Sequence, residues 1–85
     1  MAHEVLIVDD EADIRALVSG ILEDEGFATY EATDSVSALD SLAVRRPSVM
    51  LLDIWLQGSP LDGLQILNEV KANYPDLPVL MMSGH

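Results

Sequence analysis

Three aspartates stand directly after two runs of apolar residues. Residues 5–8 are followed by Asp9 and Asp10, and residues 49–52 are followed by Asp53. Carboxylates that crowd together repel one another unless a cation or protons compensate, and oxygen ligands of this kind favour Mg²⁺. With a cation bound, one carboxylate can attack a phosphoryl group as a nucleophile while the cation neutralises charge on the transferred oxygens. The pattern therefore indicates a magnesium site at which an aspartyl phosphate can form.

A serine, Ser83, follows the last apolar run, residues 79–82. Its hydroxyl can hydrogen-bond a phosphoryl oxygen and move when that group arrives, which would make it a switch. Each residue also has a simpler interpretation when taken singly. Asp9 and Asp10 would then be helix-capping acids, and Asp53 a turn residue. The joint pattern on successive buried strands favours the site over these separate interpretations.

Short apolar runs alternate with segments of helical periodicity along the chain. Uninterrupted apolar runs of this length are typical of strands buried on both faces of a parallel sheet. The sequence predicts strands at residues 5–8, 27–32, 49–53 and 79–82, with a helix in each interval. Right-handed crossovers in this β-α-β-α-β-α-β order predict a flavodoxin-like α/β fold with strand order 2-1-3-4. That order places the carboxyl ends of the first, third and fourth strands side by side.

Apolar residues spaced by three and four predict the buried face of each helix. The first helix is predicted to end at Gly26 and the second before Pro47. The N-cap candidates are Asp10 or Glu11 in the first helix, Thr33 or Asp34 in the second and Asp62 in the third. The residues predicted to face the core are Ala12, Ile14, Leu17, Val18, Ile21 and Leu22, then Val36, Leu39, Leu42 and Ala43, then Leu64, Leu67, Val70 and Tyr74, with Lys71 at the same helical spacing. The side chains interpreted as packing residues are those of Trp55, Met50, Met81 and Met82.

The amino-acid composition limits the classes of function that this chain could have. Fifteen acidic residues against four basic ones give a net charge of −11, which repels nucleic acid and anionic membranes and favours cations and basic partners. The chain has no cysteine and its histidines are His3 and His85, which excludes disulfides and thiolate metal sites. The sequence shows neither a long apolar span nor a signal-peptide pattern, so a cytoplasmic location is expected.

The acid pair, the strand-end aspartate and the strand-end serine together resemble the receiver domain of two-component response regulators. The segment of residues 53–63 resembles the corresponding loop of the nitrogen-regulatory NtrC/NtrX type. The resemblance implies a phosphoacceptor domain that takes its phosphoryl group from a sensor histidine kinase and switches a transcription-regulating output. Such a domain is not a classical enzyme, and at most it phosphorylates itself from small phosphodonors and dephosphorylates itself.

The same resemblance implies a role for each site residue. Asp53 would be the phosphoacceptor, Asp10 a direct Mg²⁺ ligand, and Asp9 a ligand that acts partly through water. The backbone carbonyl of Trp55 would complete the protein ligands, and Ser83 would be the switch hydroxyl.

Two features depart from the family pattern. Asp62 follows Asp53 by nine positions, two more than in most receivers, so the loop between them is longer. Receivers also continue through a fourth helix, a fifth strand bearing a lysine, and a fifth helix, which implies that residues 1–85 are the N-terminal part of a receiver domain. The fourth strand is then expected to be an exposed apolar edge through which the chain forms a homodimer or higher oligomer.

Two other function classes compete with this interpretation. Haloacid dehalogenase-type phosphatases also use a strand-end aspartate with Mg²⁺, but they need a second acid two residues later for proton transfer. Trp55 occupies that position, which argues against turnover of phosphoesters. The remaining alternative is a non-phosphorylated interaction or dimerisation module, or an assembly that forms because the chain is truncated.

Overall fold

Parallel strands and helices alternate along residues 3–82, the part of the chain that the computed structural model describes. The elements are β1 (Glu4–Val8), α1 (Ala12–Asp24), β2 (Ala28–Ala32), α2 (Ser35–Val44), β3 (Val49–Asp53), α3 (Gly63–Asn73) and β4 (Val79–Met82). The strands form one sheet in the order β2-β1-β3-β4, and every neighbouring pair is parallel. The predicted alternation of elements and the predicted strand order are both confirmed.

The strand register aligns the ends of the three neighbouring strands β1, β3 and β4. Val8 pairs with Leu52, and Asp53 pairs with Met82. Because the strands are parallel, the residue after Val8 lies at the same edge of the sheet as Asp53. This edge, at the carboxyl ends of the strands, is where open α/β sheets place their binding sites.

The hydrophobic core lies between the sheet and the pair of helices α2 and α3. It is built from buried side chains of the strands, of both helices and of the loops beside them, including Leu6, Val8, Met50, Leu52, Ala38, Leu42, Ile66 and Val70. Helix α1 covers the opposite face of the sheet, where Ser19 Oγ and Thr29 Oγ1 are hydrogen-bonded at 2.5 Å. Successive strand residues point to opposite faces, so Thr29 faces α1 while its neighbour Tyr30 packs against the core.

The helix ends confirm several capping predictions. The C-terminus of α1 is a Schellman turn, in which Gly26 has a φ of 93° and the Phe27 N–H donates to the Leu22 carbonyl at 3.0 Å. Asp34 and Asp62 are the N-caps of α2 and α3, each in a reciprocal capping box. Hydrogen bonds from the Ser37 backbone N–H and then from its hydroxyl lower the pKa of the Asp34 carboxyl below its ordinary value.

The predicted helix faces are partly wrong. Of the apolar residues predicted to face the core, six are exposed: Ala12, Leu17, Ile21, Val36, Ala43 and Leu64. In α2 and α3 the inward positions follow the first helical residue by three and seven, at Ser35, Ala38 and Leu42 and at Gly63, Ile66 and Val70. Small residues, Ser35 and Gly63, stand at the buried start of each helix, and Gly63 packs closely against the end of β3. Helix α1 approaches the sheet through Ser19, which turns Leu17 and Ile21 outward.

The prediction that Trp55 is a packing residue is also wrong, because this residue is 60% exposed. The next residue, Leu56, is buried in its place and belongs to the core. Of the three methionines predicted to pack, Met50 is fully buried, Met81 packs against the core, and Met82 is half-buried. Within the described residues, no helix is long and apolar enough to cross a membrane.

Candidate functional site

Asp9, Asp10 and Asp53 meet at the carboxyl edge of the sheet. Each offers one carboxylate oxygen, and the three oxygens lie within 4.8 Å of one another. Asp9 and Asp53 are buried, with 2% and 1% of their surface exposed, and Asp10 is half-buried. The convergence follows from the fold, because β1 and β3 are adjacent and parallel and end at the same level.

Two of the carboxylates are oriented by the backbone that follows them. Asp9 Oδ1 accepts a hydrogen bond from the Glu11 N–H at 2.9 Å. Asp53 Oδ1 accepts one from the Trp55 N–H at 3.0 Å. Each bond spans two residues and closes a tight turn at the strand end, so the side chain is held in one direction before any ligand arrives.

Helix capping does not explain the acid pair. The N-cap of α1 is Glu11, and its side chain makes no capping hydrogen bond. Asp10 Oδ1 is buried and has no hydrogen-bond partner in the described part of the chain. Buried polar atoms are normally satisfied, so this oxygen is suited to a cation or an ordered water. An all-oxygen set of carboxylates beside it fits a hard divalent cation such as Mg²⁺.

Sequence reasoning gave no role to Arg15, which supports the site from α1. Its Nη1 donates to the Asp9 carbonyl oxygen at 2.8 Å, and its Nε donates to Glu31 Oε1 at 2.9 Å. The Arg15 side chain is only 14% exposed, whereas that of Glu31 is 42% exposed. Arg15 therefore fixes the backbone between β1 and α1. The sequence did offer one signal for Arg15: it is the first arginine or lysine of an acidic chain, and the next one is Arg45.

The close contacts at position 63 explain why a glycine follows the cap residue Asp62. A Cβ at position 63 would collide with the Asp53 carbonyl oxygen and lie 2.7 Å from Ile54 Cα. The first turn of α3 therefore rests directly on the backbone that leaves β3. The same backbone is tied to β4, because the Ile54 N–H donates to the Met82 carbonyl at 3.0 Å. The strand end that carries Asp53 is thus held from two sides.

Two predicted site residues remain, Trp55 and Ser83, and the structure describes only the first of them. The turn closed by Asp53 Oδ1 puts Trp55 directly beside the acid cluster, while its indole points away from the core. Ser83 lies outside the described residues, and its switch role stays a prediction.

Comparisons with known proteins agree with this geometry. A model of the response regulator receiver domain matches residues 5–85. The nitrogen assimilation regulatory protein NtrX of Azorhizobium caulinodans is 58% identical over 85 residues, which are 100% of this chain and 19% of that protein. The chain thus spans about a fifth of the length of this relative.

Solved structures show the same fold. The crystal structure of the receiver domain of NtrX from Brucella abortus is 58% identical with a TM-score of 0.92, and the match covers 95% of this chain and 68% of that one. The crystal structure of the response regulator TrrA from Thermotoga maritima in complex with Mg²⁺ and BeF is 27% identical with a TM-score of 0.90, and the match covers 100% of this chain and 71% of that one.

Proposed function

Because the chain belongs to the response regulator receiver domain family, we propose that Asp53 accepts a phosphoryl group from a sensor histidine kinase. The observation that carries this proposal is the convergence of three carboxylate oxygens within 4.8 Å. The buried, unsatisfied Asp10 Oδ1 adds to it, because such an arrangement is unfavourable without a cation. The Mg²⁺-bound structure of TrrA supports the choice of metal.

In the proposed reaction, an Asp53 carboxylate oxygen attacks the phosphorus of a phosphohistidine. The new O–P bond forms as the N–P bond breaks, and the imidazole leaves and takes up a proton. The Trp55 N–H holds the attacking carboxylate in place through its bond to Oδ1. Burial of Asp53 limits the access of water, which favours transfer over hydrolysis.

Asp9, Asp10, Asp53 and the Trp55 carbonyl would hold the metal. When bound, Mg²⁺ would neutralise charge that develops on the phosphoryl oxygens. Asp10 is the direct ligand in this proposal, since its Oδ1 has no other hydrogen-bond partner among residues 3–82. Asp9 would act partly through water, and Ser83 would receive a phosphoryl oxygen as the switch.

The wider role follows from the relatives and remains a proposal for the whole protein. The name of the Azorhizobium protein supports a transcription-regulating output in nitrogen control. The net charge of −11 favours a basic docking surface on the kinase and disfavours nucleic acid or membrane binding by this segment. A cytoplasmic location fits this role.

A second candidate is self-association, alone or together with phosphorylation. Its basis is β4, which is an edge of the sheet within the described residues and carries Leu80 with 59% of its surface exposed. Unpaired strand edges with apolar side chains pair readily with other chains.

Phosphoryl uptake from acetyl phosphate, read from the intact mass, tests the proposed function. We expect one phosphoryl group per chain with Mg²⁺ and almost none after chelation. Asp53→Asn should abolish uptake, while the control Asp40→Asn, at an exposed site on α2, should leave it unchanged. Equal uptake by the Asp53→Asn variant would contradict the assignment.

A further inference from the structure

The loop of residues 54–61, between β3 and α3, carries the carbonyl proposed as a metal ligand. On its α3 side the loop borders a cavity of about 210 Å³. The residues that line this cavity are Ile54, Trp55, Leu56, Gln57, Asp62 and Leu64. Leu56 is buried in the core, whereas the Trp55 indole is mostly exposed, so packing of its own side chain does not fix Trp55.

A ring of three hydrogen bonds attaches the opposite side of the loop to α2. The Ser35 N–H donates to Ser59 Oγ at 2.8 Å, and Ser59 Oγ donates to the Leu61 carbonyl at 2.6 Å. The Leu61 N–H donates back to Ser35 Oγ at 3.2 Å. Both serine hydroxyls are therefore engaged between segments that are far apart in the sequence.

The side of this ring that belongs to α2 is buried and is held in place by the core. Ser35 is the first residue of α2 and only 3% exposed, and α2 is anchored in the core by Ala38 and Leu42. The Ser35 N–H is one of the amides that a helix N-terminus leaves without an intrahelical partner, and Ser59 supplies that partner from the loop. Removal of either hydroxyl would leave part-buried backbone groups unsatisfied.

We propose that Ser35 and Ser59 are positioning residues for the metal site. They hold the loop, and with it the Trp55 carbonyl, at the distance from Asp10 and Asp53 that a small cation requires. This inference rests on the proposed function. It also gives a role to the two additional residues of the loop, which turns at Gly58 with a φ of 68° and so brings Ser59 to α2.

A comparison of Mg²⁺ and Ca²⁺ binding can distinguish a role of these serines in positioning the Trp55 carbonyl from a role in stabilising the fold. Mg²⁺ demands near-ideal octahedral geometry with ligands at about 2.0–2.1 Å, whereas Ca²⁺ accepts flexible geometry at about 2.3–2.6 Å. A displaced carbonyl should therefore weaken Mg²⁺ binding much more than Ca²⁺ binding. A merely less stable fold would weaken the binding of both ions alike.

Fluorescence titrations of Trp55, the single tryptophan of the chain, with each metal ion test the inference. For Ser59→Ala we expect the Kd for Mg²⁺ to rise about tenfold, as for other residues that orient metal ligands, and the Kd for Ca²⁺ to rise less than about twofold. Ser59→Thr keeps the hydroxyl and should restore Mg²⁺ binding. Gln57→Ala, an exposed position of the same loop, is the matched control and should behave as wild type. Ser35→Ala provides a second variant that breaks the same ring.

The outcomes of these titrations distinguish the positioning role of Ser35 and Ser59 from the proposed phosphoacceptor role of Asp53. Equal losses for Mg²⁺ and Ca²⁺, or wild-type Mg²⁺ affinity in a folded Ser59→Ala chain, would overturn the positioning role and leave the phosphoacceptor proposal standing. A wild-type chain that shows no response to Mg²⁺ would contradict the proposed metal site, and this inference with it.

Discussion

The chemistry proposed for this protein depends on single residues at the carboxyl edge of the sheet. The acid cluster was predictable because it depends only on strand order and on the rule that parallel strands end at one edge. The partners of Arg15, Ser35 and Ser59 were not predictable, since they lie on elements whose approach is fixed by packing. Trp55 was misjudged because a large aromatic side chain near a core is usually buried, whereas the tight turn at Asp53 directs this one outward.

Gly63 gives a prediction at this scale. Gly63→Ala should lower the free energy of unfolding by about 1–3 kcal/mol, the usual effect of overpacking, because the new methyl group would press on the backbone of Asp53 and Ile54. The control is Gly20→Ala on α1, where nothing lies within 4 Å of the added Cβ. That change should raise the free energy of unfolding by about 0.5–1 kcal/mol. Urea unfolding measures both, and equal effects would contradict the close packing of α3 on the strand end.

The helices position the site through their first turns. The sequence identified all three helices, and the observed N-caps Glu11, Asp34 and Asp62 are all among the predicted candidates, because those signals are local. Periodicity identified the inward faces only in part: Leu42 and Val70 lie in the core as predicted, but other apolar residues lie on the exposed face of each helix. The close approach of Gly63 decided the orientation of α3, and that contact is tertiary.

The corrected face of α3 is testable with two neighbouring apolar residues. Ile66 is fully buried, whereas Leu64 is 56% exposed. Ile66→Ala should lower the free energy of unfolding by about 2–5 kcal/mol, and Leu64→Ala should change it by no more than about 0.5 kcal/mol. The reverse ranking in denaturant titrations would restore the face that the sequence alone suggested.

The cap of α2 predicts a pH dependence. Because hydrogen bonds from Ser37 lower the pKa of Asp34 below the ordinary value of 3.8, its charged form is preferred in the folded chain. The stabilisation is fully present above the ordinary pKa and is lost as the pH falls through the lowered folded pKa. Asp34→Asn cannot titrate, so the advantage of wild type over this variant in urea midpoint should shrink as the pH falls from about 6 to about 2. A constant difference across this range would argue against the charged cap.

At the scale of the whole molecule, the two faces of the sheet are covered unequally. One row of paired residues runs across the sheet through Glu31, Ile7, Leu51 and Leu80. Arg15 of α1 bonds to Glu31, and Ile7 is fully buried, but exposure increases toward β4, where Leu80 is largely exposed. The strand order was predictable from the α/β alternation, whereas this gradient depends on where α1 lies and required the structure.

The exposed edge predicts concentration-dependent self-association. Leu80→Lys should shift the chain toward monomer, because a charged lysine on an edge strand opposes strand pairing. Leu64→Lys alters an equally exposed leucine on α3 and should leave the association unchanged. Sedimentation equilibrium measures both variants, and a wild-type chain that stays monomeric at all concentrations would contradict the assembly.

The position of the phosphoryl group tests the central claim most directly. The chain would be phosphorylated with acetyl phosphate and Mg²⁺, reduced with borohydride, which converts an aspartyl phosphate to homoserine, and mapped by peptide mass spectrometry. The account predicts homoserine at position 53, with Asp9 and Asp10 unmodified. Modification at Asp9 or Asp10 instead, or no modification in a folded chain that binds Mg²⁺, would contradict the assignment of Asp53 as the phosphoacceptor.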